Sequence, residues 1–417
     1  MAIKSEKIIL AKKIINNWLS EKAKTGSFGS FYFSAAINGK SILTGGHDYL
    51  NNSFRLASVS KIFTIILLLK LEKEKNISLG DEVSKYLPFI KRKNLTLRDL
   101  MNHDSGIARD GQFAFWDDGI FPTKEDIGNL DKSAFKKLTS KFKYSNLGYA
   151  LLGMAIEDVW KKPYLDGLNS EVLSPLGIKV SANGKGSVKG LFKKDGVIMA
   201  DDNFNVDTNA FLPSLGIIIS PEGLARLIEF ISNSAKLKKF IGDRGVKEFF
   251  NKETNKFETW KNSKRNIFGR GGDFFGSSAD IFFDPKNGIS GALVSNVRRA
   301  ELSAISDGIL RTFYAIIDDR TFSGKTPFGN YEGIYRSGSF DLIIIGLKKG
   351  LLLFDPQANS PFRDGMIGEK NDKGELILQF SSSSAEMKEP LFFVKENDKT
   401  VLKLGSMRYI RVAKLID

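Results

Sequence analysis

Arg55-Leu56-Ala57-Ser58-Val59-Ser60-Lys61 runs directly into Ile62-Phe63-Thr64-Ile65-Ile66-Leu67-Leu68-Leu69. A serine three residues before a lysine puts both side chains on one face of a helix, one turn apart. The amine then sits beside the hydroxyl, and a helix N-terminus stabilises an alkoxide forming there. The apolar run predicts a long buried helix over Ser58–Leu71. A lysine at the buried start of such a helix needs a reason, and an ordinary cap with a snorkelling lysine is one. The same spacing recurs at Ser133/Lys136 and Ser140/Lys143, inside the polar, lysine-rich stretch Asp131–Lys143. Context rather than spacing singles out Ser58.

Working outward, Ser27–Ile37 and Ser41–Gly45 flank Asn38-Gly39, the strongest short hairpin signal. Ser220-Pro221-Glu222 opens a helix running to about Ser234, with serine suited to the cap, proline to the first turn and glutamate to the positive end of the dipole. Ala279–Phe283 and Ile289–Ser295 flank Asp284-Pro285-Lys286-Asn287-Gly288, a second hairpin. Hairpins on both sides of a block of helices predict one antiparallel sheet assembled from both ends, with helices packed on it. After Pro327 the pattern changes to short apolar runs: Phe340–Leu347, Leu351–Phe354, Glu375–Phe380, Leu391–Val394 and Thr400–Leu404. Lys348-Lys349-Gly350 and Glu396-Asn397-Asp398 read as hairpin turns between them. The chain is therefore expected to divide into residues 1–317, a linker over 318–328 and an all-β, barrel-like domain over 329–417. No internal repeat is present, and Ser381–Ser384 is the one low-complexity stretch.

Composition narrows the chemistry. Of 417 residues, 42% are hydrophobic and 26% charged, which are globular proportions. Cysteine is absent, which removes disulfides, thiol nucleophiles, iron–sulfur clusters and cysteine-based zinc sites together. Only His47 and His103 supply imidazole, too few for a histidine-rich metal site. One isolated imidazole could still serve a catalytic triad, but no metal or cofactor is expected, and a base other than histidine is the preferred reading for any hydrolytic chemistry. The net charge of +14 could favour an anionic partner such as nucleic acid, a membrane surface or an acidic cell-wall polymer, but the basic residues are scattered and carry no nucleic-acid motif, so a lysine-rich solvated surface is preferred. The first twenty residues form an amphipathic helix with Ile8, Ala11, Ile14, Ile15, Trp18 and Leu19 on one face. Lys12 and Lys13 interrupt any signal-peptide core, and no apolar stretch reaches membrane-spanning length. As it stands the chain reads as a cytoplasmic protein; a mature form of an exported, envelope-associated protein is the alternative.

Two further segments carry chemistry. Tyr144 lies two residues before Asn146, where a short polar turn enters the glycine-spaced apolar run Leu147–Gly153. A tyrosine there can relay a proton to a nearby serine, and an asparagine can bind a substrate amide; a capping turn with a core phenol is the plainer reading. Tyr49/Asn51 has the same spacing without that setting. Phe268-Gly269-Arg270-Gly271-Gly272-Asp273 is a strand whose glycines admit a ligand close to the backbone, or merely mark a bulge.

Taken in order, these segments resemble one family. Arg55–Lys61 resembles the nucleophile motif of the serine β-lactamase and penicillin-binding protein superfamily, in its class C β-lactamase, D-aminopeptidase and esterase branch. Leu95–Ile107, Tyr144–Gly153, Pro175-Leu176-Gly177-Ile178 and the Gly269–Gly272 strand followed by Asp284-Pro285 are similar to that branch's later stretches. The resemblance covers roughly residues 20–310. It implies an α+β fold, a helix/antiparallel-sheet sandwich beside a helical subdomain with the site between them. The C-terminal region resembles the lipocalin-like barrels appended to some of these enzymes. By the same resemblance, Ser58 is the acylated nucleophile, Lys61 and Tyr144 share its activation, and Asn146 orients the acyl chain. Backbone N–H groups of Ser58 and Asp273 form the oxyanion hole, and Gly272 is the family's strand glycine. The departure is Arg270, where the family usually has Lys or His; a guanidinium holds a carboxylate but relays no proton. His103 matches a family position and is taken as structural, His47 as surface. The implied activity is a serine hydrolase or acyltransferase on small amides or esters, especially D-amino-acid peptides and esters. A β-lactamase and a catalytically silent penicillin-binding-like protein are the alternatives. The oligomeric state is not legible.

Overall fold

The computed structural model describes residues 5–24, 28–139, 142–182, 188–201, 205–251, 267–318, 326–380 and 389–415. They fall into two compact units, Phe28–Leu302 and a second made of Met1–Ser27 with Ser303–Asp417. The helices Ser5–Ala23 and Leu302–Asp318 thus group mainly with the C-terminal strands, whereas the sequence placed the division near residue 317. Most of the expected linker, 319–325, and the serine run Ser381–Ser384 lie outside the described residues.

In the larger unit, five strands form one antiparallel sheet. They are β1 (Phe31–Ile37), β2 (Lys40–His47), β3 (Phe268–Phe274), β4 (Ser277–Asp284) and β5 (Ile289–Ser295), in the order β2-β1-β5-β4-β3. Both expected hairpins are present. Asn38 and Gly39 have φ of 50° and 79°, the left-handed pair that a two-residue hairpin turn demands. The sheet is assembled from both ends of the segment because β1 pairs with β5, Phe31 opposite Ser295. Helix Pro221–Ser232 packs on β1 and β5; Ser220 caps it by accepting from Gly223 N, and Ser290 Oγ donates to Ile228 O at 2.7 Å. Asn233 ends it and caps a further helix, Ser234–Phe249, that the sequence pattern did not show.

The Ser58 segment opens differently from expectation. Ala57–Ser60 is a 3-10 turn, and the α-helix proper begins at Lys61 and runs to Lys73. Residues 61–69 and Leu71 are all buried, the mark of a helix enclosed on every side. Glycine-spaced Asn146–Trp160, capped by Ser145 on Gly148 N, packs against it.

The smaller unit contains a closed barrel of eight strands paired in sequence order, from Gly333–Ser337 to Met407–Ala413. Its interior is filled by Tyr335, Leu342, Ile344, Leu351, Leu353, Leu378, Leu391, Leu402 and Tyr409. Both expected turns are hairpins; Asn397 and Asp398 have φ of 46° and 64°. Three further strands were not expected: Gly333–Ser337 and Met366–Lys370, which carry few apolar residues, and Met407–Ala413, whose apolar residues are broken up by two arginines. Within this unit, helix Ser5–Ala23 buries the predicted face, and Trp18 Nε1 donates to Ala358 O at 3.0 Å. Among the described residues no helix is long and apolar enough to cross a membrane, and no cluster of acidic residues and histidines is placed to hold a metal ion.

Candidate active site

All of the site residues named from the sequence lie in the unit Phe28–Leu302, and they converge on one cleft of about 370 Å³. It is lined by Ser58, His103, Arg109, Phe142, Tyr144, Arg270, Gly271 and Asp273. Ser58 stands on the 3-10 turn; Ala57 before it has φ of 48°. A non-glycine residue in that region costs on the order of 1–3 kcal/mol and persists only where its surroundings impose it. Those surroundings are visible at Gly272 on β3. A Cβ there would stand 2.6 Å from Leu56 O and 2.9 Å from Ser58 N. The glycine lets the edge strand lie directly against the backbone of the serine.

Ser58 Oγ is 2.6 Å from Tyr144 Oη and 3.4 Å from Lys61 Nζ. Lys61 is fully buried and donates to Asn146 Oδ1 and to Ser214 O, each at 2.8 Å. Its amine also lies over the rings of Tyr144 and Tyr149, at 4.8 and 5.4 Å. Burial holds this amine well below the usual lysine value. Arg270 and Arg109 push the same way, and Asp110 opposes them. A neutral amine has two N–H bonds and one lone pair. With both N–H bonds committed to carbonyl oxygens, the lone pair is left for the serine hydroxyl. Burial raises the Tyr144 phenol, against the lowering influence of Arg270, the Ser58 hydrogen bond and Arg109, so it remains a proton donor near neutral pH.

Arg270 is buried with its guanidinium 5.9 Å from the Tyr149 ring. The Asp273 carboxylate is held by its neighbours: Oδ1 accepts from Ser278 Oγ and Arg299 N. Its Oδ2 lies 3.7 Å from Arg298 Nε, and the residue also lines the cleft. His103 is buried with φ of 60°, and its Nδ1 accepts from Ser145 N at 3.1 Å. Burial, then Arg270 and Lys61, hold the imidazole well below its ordinary value, hence neutral. It fixes the turn that presents Tyr144 and Asn146, and His47 lies exposed at the end of β2. Ser133 belongs to a separate exposed turn, and Ser140 lies outside the described residues.

Four participants were not legible. Ala57 shows its backbone strain only in the fold. Ser214 contributes a main-chain carbonyl, which no side-chain pattern can reveal. Arg109 and Asp110 lie on a loop without periodicity; Asp110 Oδ1 accepts from Asn146 Nδ2 at 2.7 Å.

A helix/antiparallel-sheet sandwich with a serine, lysine and tyrosine meeting at the edge strand is the arrangement of one class of serine hydrolase, the β-lactamase and penicillin-binding-protein type. Residues 15–315 match the Beta-lactamase family model, and the chain belongs to that family. Penicillin-binding protein 4* of Bacillus subtilis is 31% identical over 134 residues, 31% of this chain and 30% of that protein. The teichoic acid D-alanine hydrolase of Staphylococcus aureus is 29% identical over 189 residues, 41% of this chain and 44% of that protein. The chain thus matches less than half the length of these curated relatives. In fold, it resembles the octameric penicillin-binding protein homologue from Pyrococcus abyssi, with a TM-score of 0.59 and 18% identity over 95% of this chain and 99% of that one. It also resembles the D-stereospecific amidohydrolase from Streptomyces sp., with a TM-score of 0.54 and 19% identity over 69% and 94%.

Proposed function

We propose that the protein hydrolyses, or transfers the acyl group of, small amides or esters of D-amino acids through an acyl-enzyme on Ser58. The observation that carries this is the Ser58 hydroxyl held between the Tyr144 phenol and a buried Lys61 whose N–H bonds are already engaged. Lys61 takes the Ser58 proton as Oγ attacks the substrate carbonyl. The backbone N–H groups of Ser58 and Asp273 receive the developing oxyanion. As the tetrahedral intermediate collapses, Tyr144 donates its proton to the leaving amine or alkoxide and is reprotonated through Lys61. Water, or a second acceptor, then attacks the acyl-enzyme by the reverse proton path. Asn146, fixed between Lys61 and Asp110, offers an amide edge to the acyl chain. Arg270 binds a substrate carboxylate by a two-pronged contact and favours the neutral form of Lys61.

The D-amino-acid class is supported by the names of two similar proteins, a D-alanine hydrolase and a D-stereospecific amidohydrolase. Fluorophosphonate and fluorescent penicillin labelling test the reading: label on the wild type and none on Ser58→Ala is expected. An unlabelled wild type would sink the enzyme reading and favour a silent binding protein. Nitrocefin, D-Ala-p-nitroanilide and p-nitrophenyl acetate then rank the substrate classes. Nitrocefin turned over fastest would make a β-lactamase the better description, an outcome against which the charged, non-relaying Arg270 weighs.

A further inference from the structure

Asn146 has a chemically two-sided amide, an acceptor on one side and two donors on the other. Its backbone is set by the loop before it: Asn146 N and Leu147 N both donate to Arg109 O, at 2.7 and 3.0 Å, and Ser145 Oγ donates to Ala108 O at 2.8 Å. That leaves the direction of the amide to be decided by its neighbours. On one side stands the Asp110 carboxylate, which can only accept; its Oδ1 takes Asn146 Nδ2 at 2.7 Å. Asn146 Oδ1 must then face the other way, where it accepts from Lys61 Nζ at 2.8 Å. A flipped amide would set oxygen against carboxylate and N–H against the lysine amine. Asp110 is itself held: Trp116 Nε1 donates to its Oδ2 at 3.1 Å, and Arg109 Nε pairs with the same oxygen at 3.2 Å. A continuous polar chain therefore runs from Arg109, more than half exposed at the cleft, through Asp110 and Asn146 to Lys61 and Ser58.

We infer that Asp110 is a positioning residue: by fixing the Asn146 amide, it aims the Lys61 amine at Ser58. The inference rests on the reading of Ser58 as nucleophile. It goes beyond geometry in one respect. Among the described residues, the groups facing Lys61 are the Tyr144 and Tyr149 phenols, neutral His103, the cations Arg270 and Arg109, and Asp110. Asp110 is thus the lone anion among them, and it sustains the basicity that the cations and burial reduce.

The test follows the second-order rate of Ser58 labelling by a fluorophosphonate, and of p-nitrophenyl acetate hydrolysis, across pH. Asp110→Ala should slow both by about tenfold. In an Asn146→Ala background it should cost nothing further on the pH-independent plateau, because its positioning effect acts through that amide, while its charge still moves the acid limb. Asp110→Asn, which nearly preserves shape, should shift the acid limb of the profile to lower pH, since losing the carboxylate makes Lys61 easier to deprotonate. Asp110→Glu should restore the limb. Rates and limb identical to wild type would overturn the inference, as would an undiminished loss in the Asn146→Ala background or an unmoved limb in Asp110→Asn. A wild type that takes no label would overturn the Ser58 reading and this one together; a labelled wild type with unaffected variants would overturn this one alone.

Discussion

The cleft and the barrel follow opposite rules. The barrel closes on itself, and its inward positions are filled with leucine, isoleucine and tyrosine. Strand alternation dictates most of what goes inside; the leucines and isoleucines are satisfied by packing, and Tyr335 adds one hydrogen bond, to Tyr331 O at 2.7 Å. The cleft buries a lysine, an asparagine, a histidine and an arginine, and places a residue of unfavourable φ beside the serine. Buried polar groups are stable only when each finds a partner, so the cleft is built from specific pairings that cannot be exchanged for bulk apolar contact. At the cleft, two residues of unfavourable φ, Ala57 and His103, stand beside the reacting groups.

The contrast can be broken by substitution. The largest effect is expected at Ser58→Ala, with hydrolysis falling by at least about a thousandfold and covalent labelling lost, while thermal unfolding changes little. Lys61→Ala should reduce kcat by about a hundredfold or more, measured with p-nitrophenyl acetate. In the barrel, Leu353→Ala should cost about 2–5 kcal/mol of stability by denaturant unfolding, yet leave the labelling rate of the folded protein unchanged. A Leu353→Ala protein that is stable but slow to label would show that the two regions do not follow separate rules. Arg270→Ala should raise KM about tenfold for carboxylate-bearing substrates and much less for neutral esters. The same variant gives the smallest and sharpest reading. Lys61 must be neutral to act, so activity rises with pH through its depressed pKa; removing a neighbouring cation raises that pKa and moves the acid limb to higher pH. Asp110→Asn is expected to move it the opposite way.

How much of this was legible depended on where the information lies. The Asn38-Gly39 hairpin could be read because two consecutive left-handed residues need those amino acids. The long buried helix could be read from its unbroken apolar run, though not its 3-10 entrance, which tertiary contact at Gly272 imposes. In the barrel, strands with dense leucine and isoleucine stood out, whereas Met407–Ala413 did not, because Arg408 and Arg411 interrupt its apolar run. At the site, Ser58, Lys61, Tyr144, Asn146 and Arg270 could be named from ordered motifs, but those motifs do not record how the residues meet. Asp110 and the Ser214 carbonyl act through position alone, and positions of loops and main-chain oxygens are products of the finished fold.

Gly272 has one more consequence, for how such a protein can change. The strand touches the serine backbone across the space where a side chain would begin, so every other amino acid at 272 would wedge the two apart. The absence of a side chain at 272 is therefore what sets the distance between strand and serine. New substrate preferences must arise at the rim, where Arg109 and Phe142 meet solvent and can be replaced without disturbing that distance.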